Sequence, residues 1–178
     1  MKRISLLVSL FFLVGLFALP TEAAKFKRLS LNKIADSGLA RAAKRWKSLT
    51  RSASDTASAA VQILSKKESE PWEQTVKQVL WDEYTNDISA ESTPKDAANI
   101  RALVEDLLEA SSWFQDEEAR EQVRRELPQL LSRALRANRH TLLFTGGIGG
   151  EFDGAYMHIT VVDLKNQQVV SIYGGYSE

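Results

Sequence analysis

The sequence predicts an α+β fold with about four helices followed by a small C-terminal antiparallel sheet, built from a hairpin plus one short strand. Apolar residues recur at helical spacing as far as residue 135. Seven of the nine glycines then lie between Gly146 and Gly175, and the segments among them are rich in β-branched and aromatic residues. With 178 residues, 44% of them hydrophobic and 26% charged, the composition is that of a globular domain.

The N-terminus has the pattern of an export signal. Lys2 and Arg3 precede an apolar run over residues 6–19, and Pro20 is followed by a small-x-small site that ends at Ala23. The run is shorter than the ~20 residues of a spanning helix, which favours a cleaved signal peptide over an anchor. We therefore expect residues 1–23 to be removed and the protein to be periplasmic or secreted, of bacterial type. The chain has no cysteine, which excludes disulfides, thiolate catalysis and Cys-ligated metals.

The net charge of the chain is zero, but its two parts carry net charges of opposite sign. Residues 25–67 hold eleven basic and two acidic residues, and residues 68–178 hold ten basic and twenty acidic ones. We interpret residues 24–67 as a basic amphipathic helical segment and residues 68–178 as an acidic α+β domain. The alanine-rich stripe of the segment favours packing on that domain over burial in a membrane. The alternative is binding to an anionic surface, with nucleic acid disfavoured, through Lys33, Arg41, Lys44, Arg45, Lys47 and Arg51.

Three more helices have recognisable starts. Pro71 opens the first, in which Trp81 lies off the main apolar stripe, as either a partner surface or a second buried side. Thr93 followed by Pro94 predicts the start of the second, and Asp116 predicts the cap of the third. Pro128 is expected to kink or split that last helix.

The C-terminal segments predict strands over residues 141–145, 156–162 and 168–173. A turn over residues 163–166, with Asn166 left-handed, would place Val161 opposite Val169 and His158 opposite Ile172. Both faces of the hairpin are then partly apolar, so the sheet needs cover on both sides. Helices would cover one side, and the other would meet the N-terminal helix, a second copy or a partner protein.

The glycine-rich loop over residues 146–154 lacks the Lys-Ser/Thr ending of a phosphate loop and is followed by a strand. This loop has two possible interpretations: it is either a tight structural connection or a weak binding site. Its two carboxylates suit a cation better than an anion, but the spacing fits no complete calcium loop, so we predict no metal and no cofactor. The candidate binding residues are Trp81, Glu151, Phe152, Asp153, Tyr156, His158 and Tyr173.

No catalytic constellation stands out. The expected register puts Ser171 and His158 on opposite faces, which argues against a triad with Asp163. The sequence thus favours an exported, non-catalytic interaction protein, such as an envelope adaptor or assembly subunit, with a protein partner or homo-oligomer. The alternatives are an envelope hydrolase or glycan-processing enzyme using Glu151, Asp153 and His158, and a membrane-surface-active secreted factor.

Overall fold

A computed structural model describes residues 38–50, 58–64, 70–81, 87–111, 114–137, 139–149 and 154–177. The predicted signal peptide, Lys33, Arg51 and the segment from Glu151 to Asp153 lie outside these residues. The described helices are α1 (Gly38–Leu49), α2 (Trp72–Trp81), α3 (Ala97–Ala110) and α4 (Glu117–Ala137). The described strands are β1 (Ser58–Ile63), β2 (Glu91–Ser92), β3 (Thr141–Gly149), β4 (Gly154–Asp163) and β5 (Gln168–Ser177).

The α+β class is confirmed, but the sheet is larger than predicted. It has five antiparallel strands in the order β1-β5-β4-β3-β2, so two strands join the predicted three. Both extra strands come before the hairpin in the sequence, so helices and strands alternate in the first half of the described chain. The expectation that all helices precede the sheet is therefore wrong.

Strand β1 lies within residues 24–67, which the sequence led us to interpret as a helical segment, and this part of the segment is a strand. Helix α1 ends at Leu49, and residues Ser58–Ile63 pair with the first six residues of β5, from Gln168 to Tyr173. The alanines of this segment favour a helix locally. An available strand edge outweighs that preference, because pairing satisfies the backbone and buries Ala59 against the core.

Helix α1 packs on its own domain, as its small residues predict. Its buried side contacts α4, β1 and β5. A Cβ on Gly38 would lie 2.9 Å from Cβ of Ala134, so the two helices approach closely. The indole of Trp46 donates to the carbonyl oxygen of Tyr173 at 3.2 Å. Helix α3 lies on β4 and β5, and α4 packs across α1 and α3.

One helix start differs from the sequence expectation, a second agrees with it, and Pro128 does not split its helix. Helix α3 is capped by Asp96, whose carboxylate accepts from the backbone N–H groups of Ala98 and Asn99. Thr93 instead donates its backbone N–H to Leu143 and so extends the pairing with β3. Asp116 caps α4 as predicted. That helix passes through Pro128 as one element and is not split.

The β4–β5 hairpin is confirmed, but its register differs by one residue from the expected one. Asp163 accepts from the backbone of Lys165 and Asn166, and the residue with positive φ is Gln167, at 51°. The turn therefore holds residues 164–167, and Asp163 pairs with Gln168. As a result Val161 faces Val170, His158 faces Tyr173, and Thr160 faces Ser171.

Both faces of the hairpin are covered within the chain. One face packs against α1, α3 and α4 through a cluster that includes Leu143, Ile159, Val161, Val170 and Ile172. The opposite face packs against α2 through a second cluster that includes Phe144, Val162 and Val169. The need for cover on both sides is confirmed, but the second cover is α2 and not the N-terminal helix. In the described part of the chain, none of the helices combines the length and hydropathy of a membrane span.

Candidate functional site

A concave surface lies at the sheet edge where residues 87–89 run beside the end of β3. It is an open groove of about 550 Å³, which we call the edge groove. Its lining consists of Asp87, Ile88, Ser89, Gly147, Ile148, Gly149 and Tyr156. A second cavity, of about 290 Å³, shares Asp87 and Ile88 with it and extends it to Trp81 and Lys77 on α2.

The backbone beside the edge groove is paired on one side only. Gly149 donates its N–H to the carbonyl oxygen of Asp87 at 2.8 Å, and Ser89 donates to that of Gly147 at 2.9 Å. Ile88 lies between these two bonds, opposite Ile148. In an antiparallel ladder, the residue in that position directs its own N–H and C=O away from the partner strand. Among the described residues, neither backbone group of Ile88 has a hydrogen-bond partner.

Packing against the described residues does not require two of the glycines of the groove. A Cβ on Gly147 would come no closer than 3.5 Å to another atom, and one on Gly149 no closer than 3.8 Å. Neither residue has a positive φ. By contrast, a Cβ on Gly146 would lie 2.0 Å from the carbonyl oxygen of Ser89, so that glycine is a packing requirement. Glycine weakens a strand, so Gly147 and Gly149 are unexplained by the fold alone.

Trp81 is half exposed, at 50% of its full surface, whereas its neighbours Val79 and Leu80 are buried. The sequence left open whether this side of α2 is a partner surface or a second buried side. The structure does not bury Trp81 and places it at one end of the groove, with Tyr156 lining the other part. Two of the candidate binding residues therefore adjoin the same concave surface.

The other described candidates belong to the core. Tyr173 is buried, and His158 has no exposed surface at all. Nε2 of His158 donates to the carbonyl oxygen of Ser89 at 2.9 Å, and since a carbonyl only accepts, this nitrogen carries the proton. Nδ1 therefore accepts from the hydroxyl of Thr160 at 3.0 Å, and that hydroxyl accepts from Ser171 at 2.9 Å. Burial lowers the pKa of His158, against the opposing effect of its bond to Ser89.

The corrected register explains this chain of hydrogen bonds. His158, Thr160 and Ser171 share one face of the sheet, and the expectation that His158 and Ser171 point to opposite faces is wrong. They still form no triad, because Thr160 separates them and all three are buried. Asp163 instead caps the hairpin turn.

The four described residues of the predicted anionic-surface set, Arg41, Lys44, Arg45 and Lys47, lie on α1, whose apolar side is turned toward the core. Arg41, Lys44 and Lys47 are exposed, whereas Arg45 forms two hydrogen bonds with Glu126 of α4, at 2.8 and 3.2 Å. The pKa of Glu126 is lowered, first by its bonds to Arg45 and then by Gln122. Because Trp46 and the alanines of α1 are buried, this helix has no apolar face left for a membrane.

Sequence reasoning missed residues 87–89, which have no strand periodicity and become a groove wall only by pairing with β3. It singled out the glycine-rich segment but interpreted it as a loop, whereas Gly146, Gly147 and Gly149 belong to β3.

The described residues contain no group of three or more His, Asp or Glu placed to hold a metal. Neither family models, nor curated proteins, nor solved structures give a match to this chain.

Proposed function

We propose that the protein is an exported, non-catalytic interaction protein, and that an extended segment of a partner protein binds in the edge groove. The observation that carries the proposal is the pair Gly147 and Gly149, whose missing side chains are not required by packing against the part of the chain that the structure describes. Glycine in a strand often marks a place where another backbone approaches closely. Here both glycines line the same groove.

The backbone of Ile88 supports an extended partner. Its N–H and C=O point away from β3 and offer one donor and one acceptor at a sheet edge. Peptides that add to a sheet edge use main-chain hydrogen bonds for affinity and side-chain pockets for specificity. The cavity between Ile88 and Trp81 is such a pocket, and exposed tryptophans are frequent anchors in protein interfaces.

The faces of the β4–β5 hairpin are not the proposed binding site. Docking on its faces requires that one of them be open, and the described residues cover both. The partner therefore binds at the sheet edge. The basic face of α1 remains exposed at Arg41, Lys44 and Lys47, so it remains available to steer an acidic partner.

An enzyme is the weaker alternative. His158, the histidine of the proposed hydrolase site, is buried and neutral, and both of its ring nitrogens are engaged by the protein. A general acid or base must reach the substrate directly or through one water. The remaining members of that site, Glu151 and Asp153, lie outside the described residues.

Export is proposed from the N-terminal pattern alone. If residues 1–23 are a signal peptide, the protein recovered from outside the cytoplasm begins at Ala24. Mass spectrometry of the intact protein tests this directly. A protein that retains Met1 in a membrane fraction would remove the export part of the proposal without affecting the groove.

The groove is tested by placing a photo-crosslinking amino acid at Asp87 and irradiating cells that express the protein. We expect one dominant adduct, which is lost in Trp81→Ala and in the double variant Gly147→Ala/Gly149→Ala. The control is Ile63→Ala, because Ile63 is a large exposed hydrophobic residue at the opposite edge of the sheet. That variant should keep the adduct.

The glycine variants separate binding from folding. Alanine fits at both positions and favours the strand by about 0.5–1 kcal/mol per site, so the double variant should unfold at the same temperature or higher. Loss of the adduct in a protein that is at least as stable supports the proposal. An adduct that persists in the glycine variant would overturn it, and an adduct of twice the chain mass would identify a second copy as the partner.

A further inference from the structure

A second groove lies on the far side of the helical layer, between α3 and α4. Its volume is about 320 Å³, and three arginines from the two helices surround it, which are Arg101, Arg133 and Arg136. Ala97, Pro128 and Gln129 complete most of the wall, and the buried residue Ser132 also lines the groove. We call it the arginine groove.

The arginines of this groove form no ion pair with an acid among the described residues. Other arginines of the helical layer are paired with acids: Arg45 with Glu126, and Arg124 with Glu105, Glu117 and Glu121. Within the described part of the chain, none of the ion pairs involves Arg101, Arg133 or Arg136. Three like charges around one concave surface repel each other, and Arg133 and Arg136 are also adjacent on the helix, at i and i+3.

Two of the three guanidinium groups are held in place by the helix. Nε of Arg133 donates to the carbonyl oxygen of Gln129 at 3.3 Å, and Nε of Arg136 donates to that of Ser132 at 3.1 Å. These bonds leave the terminal amino groups of both side chains without partners among the described residues. A guanidinium that is already oriented loses less conformational entropy when it binds an anion.

The helix N-terminus beside the groove does not supply the binding groups. Asp96 occupies it and accepts from the N–H groups of Ala98 and Asn99. The carboxylate of Asp96 also accepts from the side chain of Asn99. The groups that the arginine groove offers to a ligand are therefore side chains, and the groove is separate from the edge groove.

We propose that the arginine groove binds a dianionic phosphate group. Planar guanidinium groups donate two parallel hydrogen bonds to phosphate, and such charge-assisted bonds are stronger than neutral ones. The volume admits a phosphate together with part of the molecule that carries it. The same chemistry is offered by a soluble phosphate monoester and by a lipid with a monoester headgroup.

The test uses inorganic phosphate and two kinds of vesicle, pure phosphatidylcholine and phosphatidylcholine with phosphatidic acid. The variant is Arg101→Gln/Arg133→Gln/Arg136→Gln. The matched control is Arg41→Gln/Lys44→Gln/Lys47→Gln, which removes the same number of exposed positive charges from α1. Thermal unfolding without phosphate shows whether each variant folds. If the triple variant does not fold, the single variant Arg133→Gln replaces it in the binding measurements.

We expect phosphate to raise the unfolding temperature of the wild type and of the control, with affinity reduced roughly tenfold or more in the groove variant. Binding to inorganic phosphate without binding to vesicles indicates a soluble ligand. Binding to phosphatidic acid vesicles that needs the groove arginines indicates a lipid headgroup. Equal losses in the groove variant and the control, or no response to phosphate and vesicles, would overturn the proposal. This result does not depend on the partner of the edge groove.

Discussion

The imidazole of His158 donates a hydrogen bond to the carbonyl oxygen of Ser89, at 2.9 Å, across 69 residues of sequence. Gly146 makes this contact possible, because any side chain there would occupy the path between the two groups. The bond attaches residues 87–90 to the sheet and so positions one wall of the edge groove. A buried, neutral histidine thus contributes to the candidate site by positioning it and not by chemistry.

The stability of the protein should depend on the protonation of His158. Its pKa is lowered in the folded state, so the unfolded chain binds the proton more readily. The free energy of unfolding should therefore fall as the pH drops below about 6.5, by at most about 1.4 kcal/mol per pH unit from this group. Thermal unfolding between pH 7.5 and 5 measures the slope.

The chain provides a control for that slope. His140, its other histidine, is exposed, and His140→Gln should keep the slope of the wild type. His158→Gln should lower the unfolding temperature at pH 7.5 and flatten the slope. An unchanged slope in His158→Gln would contradict the assignment of a neutral histidine in the folded state.

Alanine should have opposite effects at two neighbouring glycines. Gly146→Ala places a Cβ 2.0 Å from the carbonyl oxygen of Ser89, and we expect a loss of about 1–3 kcal/mol from overpacking. Gly147→Ala finds ordinary contact distances and should be neutral or slightly stabilising. Urea unfolding of both variants measures the difference, and equal losses would show that the path between β3 and Ser89 is not as tight as described.

Trp46 should hold α1 on the sheet partly through its indole N–H. Trp46→Phe keeps most of the buried ring but removes the hydrogen bond to Tyr173, which should cost about 1–3 kcal/mol because the carbonyl stays buried. The same substitution at Trp81, which is half exposed, should change the free energy of unfolding by less than about 0.5 kcal/mol. Denaturant unfolding of the two variants measures both losses in free energy of unfolding. Similar losses would argue against the buried contact between Trp46 and Tyr173.

The ion pair between Arg45 and Glu126 should contribute little to the free energy of unfolding. That contribution should be lost in acid. Both side chains are about one-third exposed, so we expect Glu126→Gln to cost about 0.5–1 kcal/mol at neutral pH and low salt. The pKa of Glu126 is lowered in the folded state, so this contribution is lost as the pH falls below the ordinary glutamate value. Thermal unfolding at two salt concentrations tests it, with Glu109→Gln as the exposed control. A larger loss at high salt would contradict the ion pair.

Local signals predicted the parts of the fold that local interactions stabilise. Asp116 caps a helix because its carboxylate reaches backbone N–H groups three residues away, and this bond needs no other part of the chain. The three strands of the C-terminal region were predicted for the same kind of reason, since β-branched residues favour extended backbone. The predicted strands were too short because the glycines of β3 and β5 are residues typical of loops, so they were assigned to loops.

The structural predictions that were wrong share a different cause. Residues Ser58–Ile63 are strand only because β5 offers a free edge, and residues 87–89 form a wall only because β3 runs beside them. The hairpin register moved by one residue because the Asp163 carboxylate organised the turn. That single step placed His158, Thr160 and Ser171 on one face.

The amino-acid sequence by itself determined the α+β class and most of the helices, because periodicity and caps act within a few residues, whereas it left the exposure of Trp81 open. Only the tertiary structure decided the five-stranded sheet, the two grooves and the buried state of His158. Each of those depends on contacts between segments tens of residues apart, and no spacing along the chain specifies which edges meet.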